Sequence, residues 1–166
     1  MKREFFVLGL TIIVFVCAGI AGADQRTSNL QVSANVVSYC TVSTSAVDFG
    51  SVTGESTTLA NGDVTVNCPL ETTYHIALDW GRNSYGMSRI AAGGGHNVDY
   101  WLFKDGSHSV QWGDSDYGNT YTYGSSLADT GNGSDQSHPV YGMLDVFSGL
   151  PTGTTLGDTV TATVYY

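Results

Sequence analysis

Two stretches of the chain alternate strictly between apolar and polar side chains, and this alternation constrains the fold more than any other feature. The first carries its apolar side chains at Leu30, Val32, Ala34 and Val36. The second, near the last residue Tyr166, carries them at Val160, Ala162 and Val164, with threonines between them. Period-two alternation places successive side chains on opposite faces of an extended strand. Both stretches are therefore predicted to be β-strands with one apolar face.

The sequence between these two stretches contains further strand-like segments separated by turn residues, and no segment has a convincing helical period. The segments are residues 41–50, 63–68, 73–79, 88–91, 98–104, 110–113 and 140–147, of which 88–91 is predicted to be a short edge strand. Short strands with turn signals between them are typical of an antiparallel β-sandwich. We therefore predict an all-β sandwich with six or seven strands in its main body. Residues 51–62 are predicted to be a polar connector and residues 114–138 a surface excursion.

The composition agrees with an exported all-β domain. The chain has 166 residues, which is the size of one domain, and 42% of them are hydrophobic. Only 13% are charged, and the formal net charge is −9. Nucleic acids and anionic lipids are bound through clusters of Lys and Arg, which this acidic chain lacks. The charge indicates solubility, and no nucleic-acid partner is expected.

Residues 1–23 have the pattern of a secretory signal peptide. Lys2 and Arg3 precede an apolar run over residues 5–16, and small residues at 21–23 fit a cleavage site. We expect maturation after Ala23. A lipid anchor at Cys17 fits less well because Val16 precedes it, and the apolar run is short for a membrane span.

Cleavage of the signal peptide would remove Cys17 and leave two cysteines, Cys40 and Cys68. An even number of cysteines in an exported chain implies a disulfide bond. The bond would close a loop of 68 − 40 = 28 positions. A loop of this length is expected to stabilise the fold by roughly 3–4 kcal/mol through the entropy of the unfolded chain.

The sequence contains no motif that singles out a catalytic or metal site. The histidines have no metal-ligand spacing; they are His75, His96, His108 and His138. His75 lies in a predicted strand and the other three in predicted loops, and no Gly-x-Ser-x-Gly elbow is present. We therefore expect no enzymatic activity, no cofactor and no metal.

Three groups of residues leave weaker alternatives open. The acidic residues around Asp114 and Asp129 hint at calcium, but neither run continues to the acidic last position of an EF-hand loop. Paired carboxylates for glycoside hydrolysis need only spatial proximity, and nothing singles out a pair. The tryptophans could form a sugar-stacking surface, although packing inside a sandwich is their commoner use; they are Trp80, Trp101 and Trp112.

A set of short motifs over nearly the whole mature chain resembles the spore coat protein U-like domain family, whose members include subunits of archaic chaperone–usher pili. The motifs follow in the family's order and spacing, behind an alternating strand. They are Cys40-Thr-Val, Phe49-Gly50, Val64-Thr-Val-Asn-Cys68, Tyr74, Arg89, Tyr100-Trp-Leu-Phe-Lys-Asp105, Trp112-Gly113, Val140-Tyr-Gly142, Gly157-Asp-Thr-Val-Thr161 and Tyr166.

The resemblance implies an incomplete immunoglobulin-like sandwich that lacks its last strand and is completed by another molecule. It divides the chain into a signal peptide (1–23), an N-terminal donor-strand segment (24–39) and a pilin domain (40–166). The implied donor residues are Leu30, Val32, Ala34 and Val36. The implied acceptor groove and chaperone-docking residues are Val160, Ala162, Val164 and Tyr166.

The resemblance also implies partners and a location. The partners would be identical or related subunits, a periplasmic chaperone and an outer-membrane usher. The protein would pass through the periplasm to the cell surface, as part of a fimbria or a spore coat, at the shaft or the tip. Two alternatives stay open: a self-complemented, lectin-like secreted binding module, and a secreted enzyme with dispersed catalytic residues.

Overall fold

The computed structural model describes residues 26–35, 37 and 39–166. The boundary between two compact units of the chain lies between residues 35 and 36. The signal-peptide prediction and the predicted donor residue Val36 lie outside the described residues. In the described part of the chain, no helix is long and apolar enough to cross a membrane.

The second unit consists of strands joined by turns and loops. Its strands are β1 (Thr41–Ser45), β2 (Thr58–Asn67), β3 (Thr73–Leu78), β4 (Ser84–Tyr85), β5 (Ser88–Gly93), β6 (His96–Phe103), β7 (Leu127–Thr130), β8 (Asp135–Leu144) and β9 (Ala162–Tyr165). One sheet has the order β1-β2-β8-β6-β5-β4, and the other has the order β7-β3-β9. Every strand pair is antiparallel. The predicted all-β antiparallel class is confirmed.

Alternating side chains from the two sheets form one core. Val64 and Val66 of β2 are buried, as the alternation of this segment predicts. Tyr74, Ile76 and Leu78 of β3 are buried in the same cluster, which also contains Trp112. The sandwich therefore follows from the period-two pattern: each strand contributes one apolar face, and the two apolar faces pack together.

The chain crosses the inner face of the larger sheet directly after β1, at a position where the sheet has glycines. A Cβ atom on Gly62 would lie 2.9 Å from the carbonyl oxygens of Ser45 and Ala46, and one on Gly142 would collide with the side chain of Val47. Hence the prediction that a strand continues to residue 50 is wrong. The strand ends at Ser45 because the next residues leave the sheet edge to pack over these glycines.

The predicted surface excursion over residues 114–138 is also partly wrong. It contains all of β7 and the first residues of β8, which are joined by a glycine-rich turn at residues 131–134. His138 therefore lies in a strand and points into the sandwich, and His96 begins β6. These strands could not be recognised in the sequence because many of their residues are polar. An alternation of apolar and polar residues is visible only when one face of the strand is apolar.

Two smaller predictions also need correction. Residues 88–91 belong to β5, which lies between β4 and β6 and so is not an edge strand. The predicted strand at 110–113 forms only isolated bridges, between Phe103 and Gln111 and between Trp112 and Ser125. The side chain of Trp112 is buried in the core, although its backbone is not part of a continuous strand ladder.

The first unit, as far as it is described, has no strand over residues 26–35. Leu30 and Val32 are 88% and 85% exposed, and Ala34 is exposed as well. A single extended segment has no neighbouring strand to which its backbone N–H and C=O groups can hydrogen-bond. This segment therefore needs a partner strand before it can form a β-strand. The donor role of this segment stays a prediction.

The predicted disulfide is present between Cys40 and Cys68, with a Cα–Cα distance of 4.4 Å. It joins the residue before β1 to the residue after β2, beside the paired residues Thr41 and Asn67. It therefore fastens the edge strand β1, whose side chains are all exposed, to a strand that is anchored in the core.

Replacing both cysteines with alanine should lower the free energy of unfolding by about 3 kcal/mol, because the reduced chain gains loop entropy when it unfolds. Urea unfolding of the mature chain, with and without a reductant, measures the difference. The alanine variant should be insensitive to the reductant. A wild-type unfolding midpoint that the reductant does not change would show that the bond does not stabilise this fold.

Candidate functional site

A large apolar groove opens into the core of the second unit, with a volume of about 1090 Å³. Its floor is made of side chains that are buried from both sheets. They are Val64, Leu78, Ala91, Tyr100, Leu102, Val140 and Leu144. A packed protein interior leaves few voids larger than a water molecule, so a groove of this size marks a core that lacks part of its filling.

Two segments without strand structure form the rim of the groove. One is residues 46–53, between β1 and β2, and the other is residues 150–160, between β8 and β9. Both carry apolar side chains that are half-buried against the core, namely Val47, Phe49, Val52, Leu150, Leu156 and Val160. The backbone N–H of Phe147 donates a hydrogen bond to the carbonyl of Gly54 at 2.9 Å, which joins the two rims at one end.

The strand β9 borders the groove and, among the described residues, has a strand neighbour on one side only. It pairs with β3 in a register that sets Ala162 opposite Leu78 and Val164 opposite Ile76. The N–H of Asp79 donates to the carbonyl of Thr161, so Thr161, Thr163 and Tyr165 direct their backbone groups toward β3. In an antiparallel ladder alternate residues face opposite neighbours. The N–H and C=O groups of Ala162 and Val164 therefore point to the open edge.

Two carboxylates fix the start of this edge strand. Asp79 Oδ1 accepts a hydrogen bond from the N–H of Thr161 at 2.8 Å. Asp158 Oδ1 accepts from the N–H groups of Arg82 and Asn83 at 2.9 and 3.0 Å, and its Oδ2 accepts from the hydroxyl of Tyr100 at 2.7 Å. Burial and the contact with Asp158 raise the pKa of Tyr100, which keeps this hydroxyl a proton donor. The edge strand is thus held in place although one of its sides is unpaired.

Arg89 and Trp112 support the floor of the sandwich rather than forming a binding surface. Arg89 is fully buried and donates hydrogen bonds to the carbonyls of Leu78, Asp79 and Trp112. Its guanidinium also lies 4.0 Å from the ring centroid of Tyr121. Burial lowers the pKa of Arg89. The indole N–H of Trp112 donates to the carbonyl of Ile76 at 2.8 Å. The possibility that Trp112 stacks on a sugar is excluded by its complete burial.

His138 and Asp114, the latter part of an acidic run that hinted at calcium, have structural contacts. His138 Nε2 lies 2.9 Å from the hydroxyl of Tyr74. Burial lowers the pKa of His138 and raises that of Tyr74 to about 12. The carboxylate of Asp114 accepts from the N–H groups of Thr120 and Tyr121, so its oxygens hold a loop. Within the described residues no group of three or more His, Cys, Asp or Glu could hold a metal ion.

The structure brings only part of the predicted acceptor set to the groove. Val160 and Ala162 line it. Val164 is half-buried against the core farther along β9, and Tyr166 is 61% exposed at the end of the strand. Neither rim segment could be recognised as part of a site in the sequence, because their apolar side chains, such as Phe49 and Leu150, are spaced irregularly among Gly, Ser and Thr. The role of Asp158 could not be predicted either, because it appears only when the loop after β3 folds beside this carboxylate.

Comparison with known proteins supports this picture of the fold. The model of the Spore Coat Protein U domain matches residues 26–163. A chain in the crystal structure of the CsuC–CsuE chaperone–tip adhesion subunit pre-assembly complex, from the archaic chaperone–usher Csu pili of Acinetobacter baumannii, is similar with a TM-score of 0.54 and 20% sequence identity. The match covers 79% of the present chain but 40% of that chain. No curated protein matches.

These findings agree with an immunoglobulin-like antiparallel sandwich, as the motifs of the sequence imply. The structural likeness concerns the fold, and the family match extends from the residues before Cys40 into the first half of β9. Because the family model matches residues 26–163, which is far more than half of the chain, the chain belongs to the Spore Coat Protein U domain family.

Proposed function

We propose that the protein is a structural subunit of a surface fibre or coat, and that it polymerises by donor-strand exchange after secretion through a chaperone–usher route. The observation that carries this proposal is the apolar groove beside the open edge of β9. An unpaired edge over an exposed apolar groove aggregates unless another strand covers it. A strand that is added from outside supplies backbone hydrogen bonds to the edge and apolar side chains to the groove.

The N-terminal segment has the properties that such an added strand needs. Its apolar side chains at Leu30, Val32, Ala34 and Val36 all fall on one face of an extended strand. Leu30 and Val32 are exposed, so their apolar side chains are available to a partner. Burial of the three large side chains, with a smaller share from Ala34, would contribute roughly 5–8 kcal/mol. Pairing with β9 would add to this stabilisation.

The same groove and edge would first be covered by a periplasmic chaperone, and an outer-membrane usher would then exchange the chaperone for the next subunit. The similarity to a chain from a chaperone–subunit complex supports this route. The disulfide is consistent with an oxidising compartment. The protein would reach the cell surface through the periplasm, and its role there would be structural rather than enzymatic.

Polymerisation is tested by electrophoresis of surface material in denaturing detergent, with and without boiling. Donor-strand exchange predicts a ladder of multimers in the unboiled sample that collapses to one band on boiling. A self-complemented, lectin-like module predicts a monomer in both samples. Wild-type protein that migrates only as a monomer would contradict the proposal.

The proposed chaperone contact predicts that the end of β9 does not tolerate a polar extension. Tyr166 follows β9 directly and is exposed, so the end of β9 and its open edge would lie together against a chaperone. A short Gly-Ser extension after Tyr166 should reduce the periplasmic yield and the amount of chaperone that co-purifies. The same extension placed before Arg26 should have little effect on either quantity. Equal yields for the two variants would contradict the contact.

A further inference from the structure

The loop between β6 and β7 folds against the outer face of the smaller sheet. The ring of Tyr117, in this loop, lies 4.7 Å from the ring of His75 and 4.6 Å from the ring of Tyr165, measured between centroids. His75 of β3 and Tyr165 of β9 are opposite each other in the strand register, so their side chains lie on the same face of the sheet. Tyr117 therefore packs against a cross-strand pair that includes a residue of the edge strand.

The rings of Tyr117 and Tyr165 are stacked and accessible. Their planes differ by 24°, and the centroid distance is close to the shortest that aromatic pairs adopt. Tyr117 is 39% exposed and Tyr165 is 36% exposed. The two phenol rings are therefore in contact with each other while small solutes can still reach them.

The position of Tyr117 is fixed by hydrogen bonds on both sides of it. Its N–H donates to the carbonyl of Asp114 at 3.0 Å. The carboxylate of Asp116 accepts from the N–H of Ser126 at 2.8 Å and from the hydroxyl of Ser126 at 2.7 Å. Ser126 Oγ in turn lies 3.2 Å from Nδ1 of His75 in β3. The loop thus holds the ring of Tyr117 in place, and groups that are held in contact react as if they were present at very high concentration.

Two phenol rings that are held in contact are suited to oxidative coupling. One-electron oxidation removes an electron and the hydroxyl proton from a tyrosine and leaves a phenoxyl radical, whose unpaired electron is shared between the oxygen and the ring carbons ortho to it. When two such radicals meet, a bond forms between one ortho carbon of each ring. The hydrogen on each of these carbons then moves to the oxygen, which restores both phenols. In total two electrons and two protons leave, and hydrogen peroxide accepts them and becomes two molecules of water.

We propose that Tyr117 and Tyr165 form an oxidative cross-linking site, at which hydrogen peroxide and a haem peroxidase join the two rings as dityrosine. The bond would close a loop of 165 − 117 = 48 positions and fasten the edge strand β9 to the loop that packs against it. A cross-link of this kind stabilises the fold because it restricts the unfolded chain. The site does not depend on the donor role of the N-terminal segment.

Other tyrosines are less suited to this reaction. Tyr121 and Tyr123 have a centroid distance of 6.0 Å and planes at 65°, and Tyr121 is completely buried. Tyr166 is 61% exposed but is not part of the stack of Tyr117 and Tyr165. Tyr166 therefore provides a control for reactions that need exposure alone.

The test treats the purified mature protein, as subunit or polymer, with hydrogen peroxide and a haem peroxidase, and then boils it in denaturing detergent. Proteolysis of the monomer band before aspartate residues should release peptides 116–128 and 158–166 as one covalently joined species. Mass spectrometry identifies this species by the loss of two hydrogen atoms. Separate peptides, or joined peptides that occur only in covalent multimers, would overturn the proposal.

Tyr165→Phe and Tyr166→Phe are the matched variants. Phenylalanine keeps the ring but has no phenolic hydroxyl to oxidise, so the untreated variants should have the circular dichroism spectrum of the wild type. We expect Tyr165→Phe to lose the joined peptides and Tyr166→Phe to retain them at the wild-type level. Joined peptides that persist in Tyr165→Phe, or that are lost equally from both variants, would contradict the assignment.

The melting temperature measures what the cross-link does. After the same treatment, the wild type should melt above Tyr165→Phe by on the order of 10 °C, because only the wild type carries the additional closed loop. Before treatment the two proteins should melt within a few degrees of each other. Equal melting temperatures after treatment would show that the bond does not secure β9 and would overturn that part of the proposal.

Discussion

Val32→Asp is expected to abolish polymer formation and to leave the subunit folded on its chaperone. Val32 is exposed in the single chain, and in a polymer it would enter the groove of a neighbour. A carboxylate at this position would then be buried without a partner, at a cost of several kcal/mol per junction. The variant should accumulate as a soluble chaperone-bound subunit. Co-purification with the chaperone and electrophoresis of unboiled surface material measure the two effects.

Ser33→Asp is the matched control, because residue 33 lies next to Val32 but on the opposite face of an extended strand. It introduces the same charge on the side that faces away from the groove. We expect it to form a ladder close to that of the wild type. Normal polymers from Val32→Asp, or equal losses from the two variants, would argue against a donor strand with one buried face.

Ala162→Asp should have a broader effect and remove both the chaperone complex and the polymer. Ala162 lines the groove, and its backbone groups point to the open edge of β9. A carboxylate there would repel any apolar strand that enters, whether the chaperone or another subunit supplies it. The variant subunit should therefore be lost from the soluble periplasmic fraction. The donor and acceptor variants thus differ in whether the chaperone complex survives.

Thr163→Asp is the control on the same strand. Thr163 pairs with Ala77 and its side chain is exposed on the outer face of the sheet. Exposed substitutions usually change stability by about 0.5 kcal/mol or less, so chaperone binding and polymer yield should stay near wild type. An Ala162→Asp subunit that still co-purifies with its chaperone at the wild-type level would show that the groove is not the chaperone site.

The strands that could be predicted from the sequence are those with one buried apolar face. Val64 and Val66, and Tyr74 with its neighbours in β3, follow the alternation and are buried as expected. The strand β7 and the first half of β8 could not be recognised, because polar residues occupy many of their inward and outward positions. His138 is an example: it is polar, yet it points inward and binds the hydroxyl of Tyr74.

The groove could be predicted only in part, for a related reason. Its wall at Val160 and Ala162 belongs to an alternating segment, whereas its rims belong to loops without a period. Val47 and Phe49 reach the core because Gly142 leaves room on the inner face of β8. Such packing depends on residues about 95 positions apart in the sequence, so no local pattern reveals it.

Hydrogen exchange at individual amides of β9 tests the central claim most directly. The N–H groups of Ala162 and Val164 point to the open edge, whereas those of Thr163 and Tyr165 point to β3. In a subunit that lacks residues 24–37, we predict rapid exchange at 162 and 164 and slow exchange at 163 and 165. In the assembled polymer all four amides should exchange slowly. Amides at 162 and 164 that exchange as fast in the polymer as in the truncated subunit would contradict strand addition at this edge.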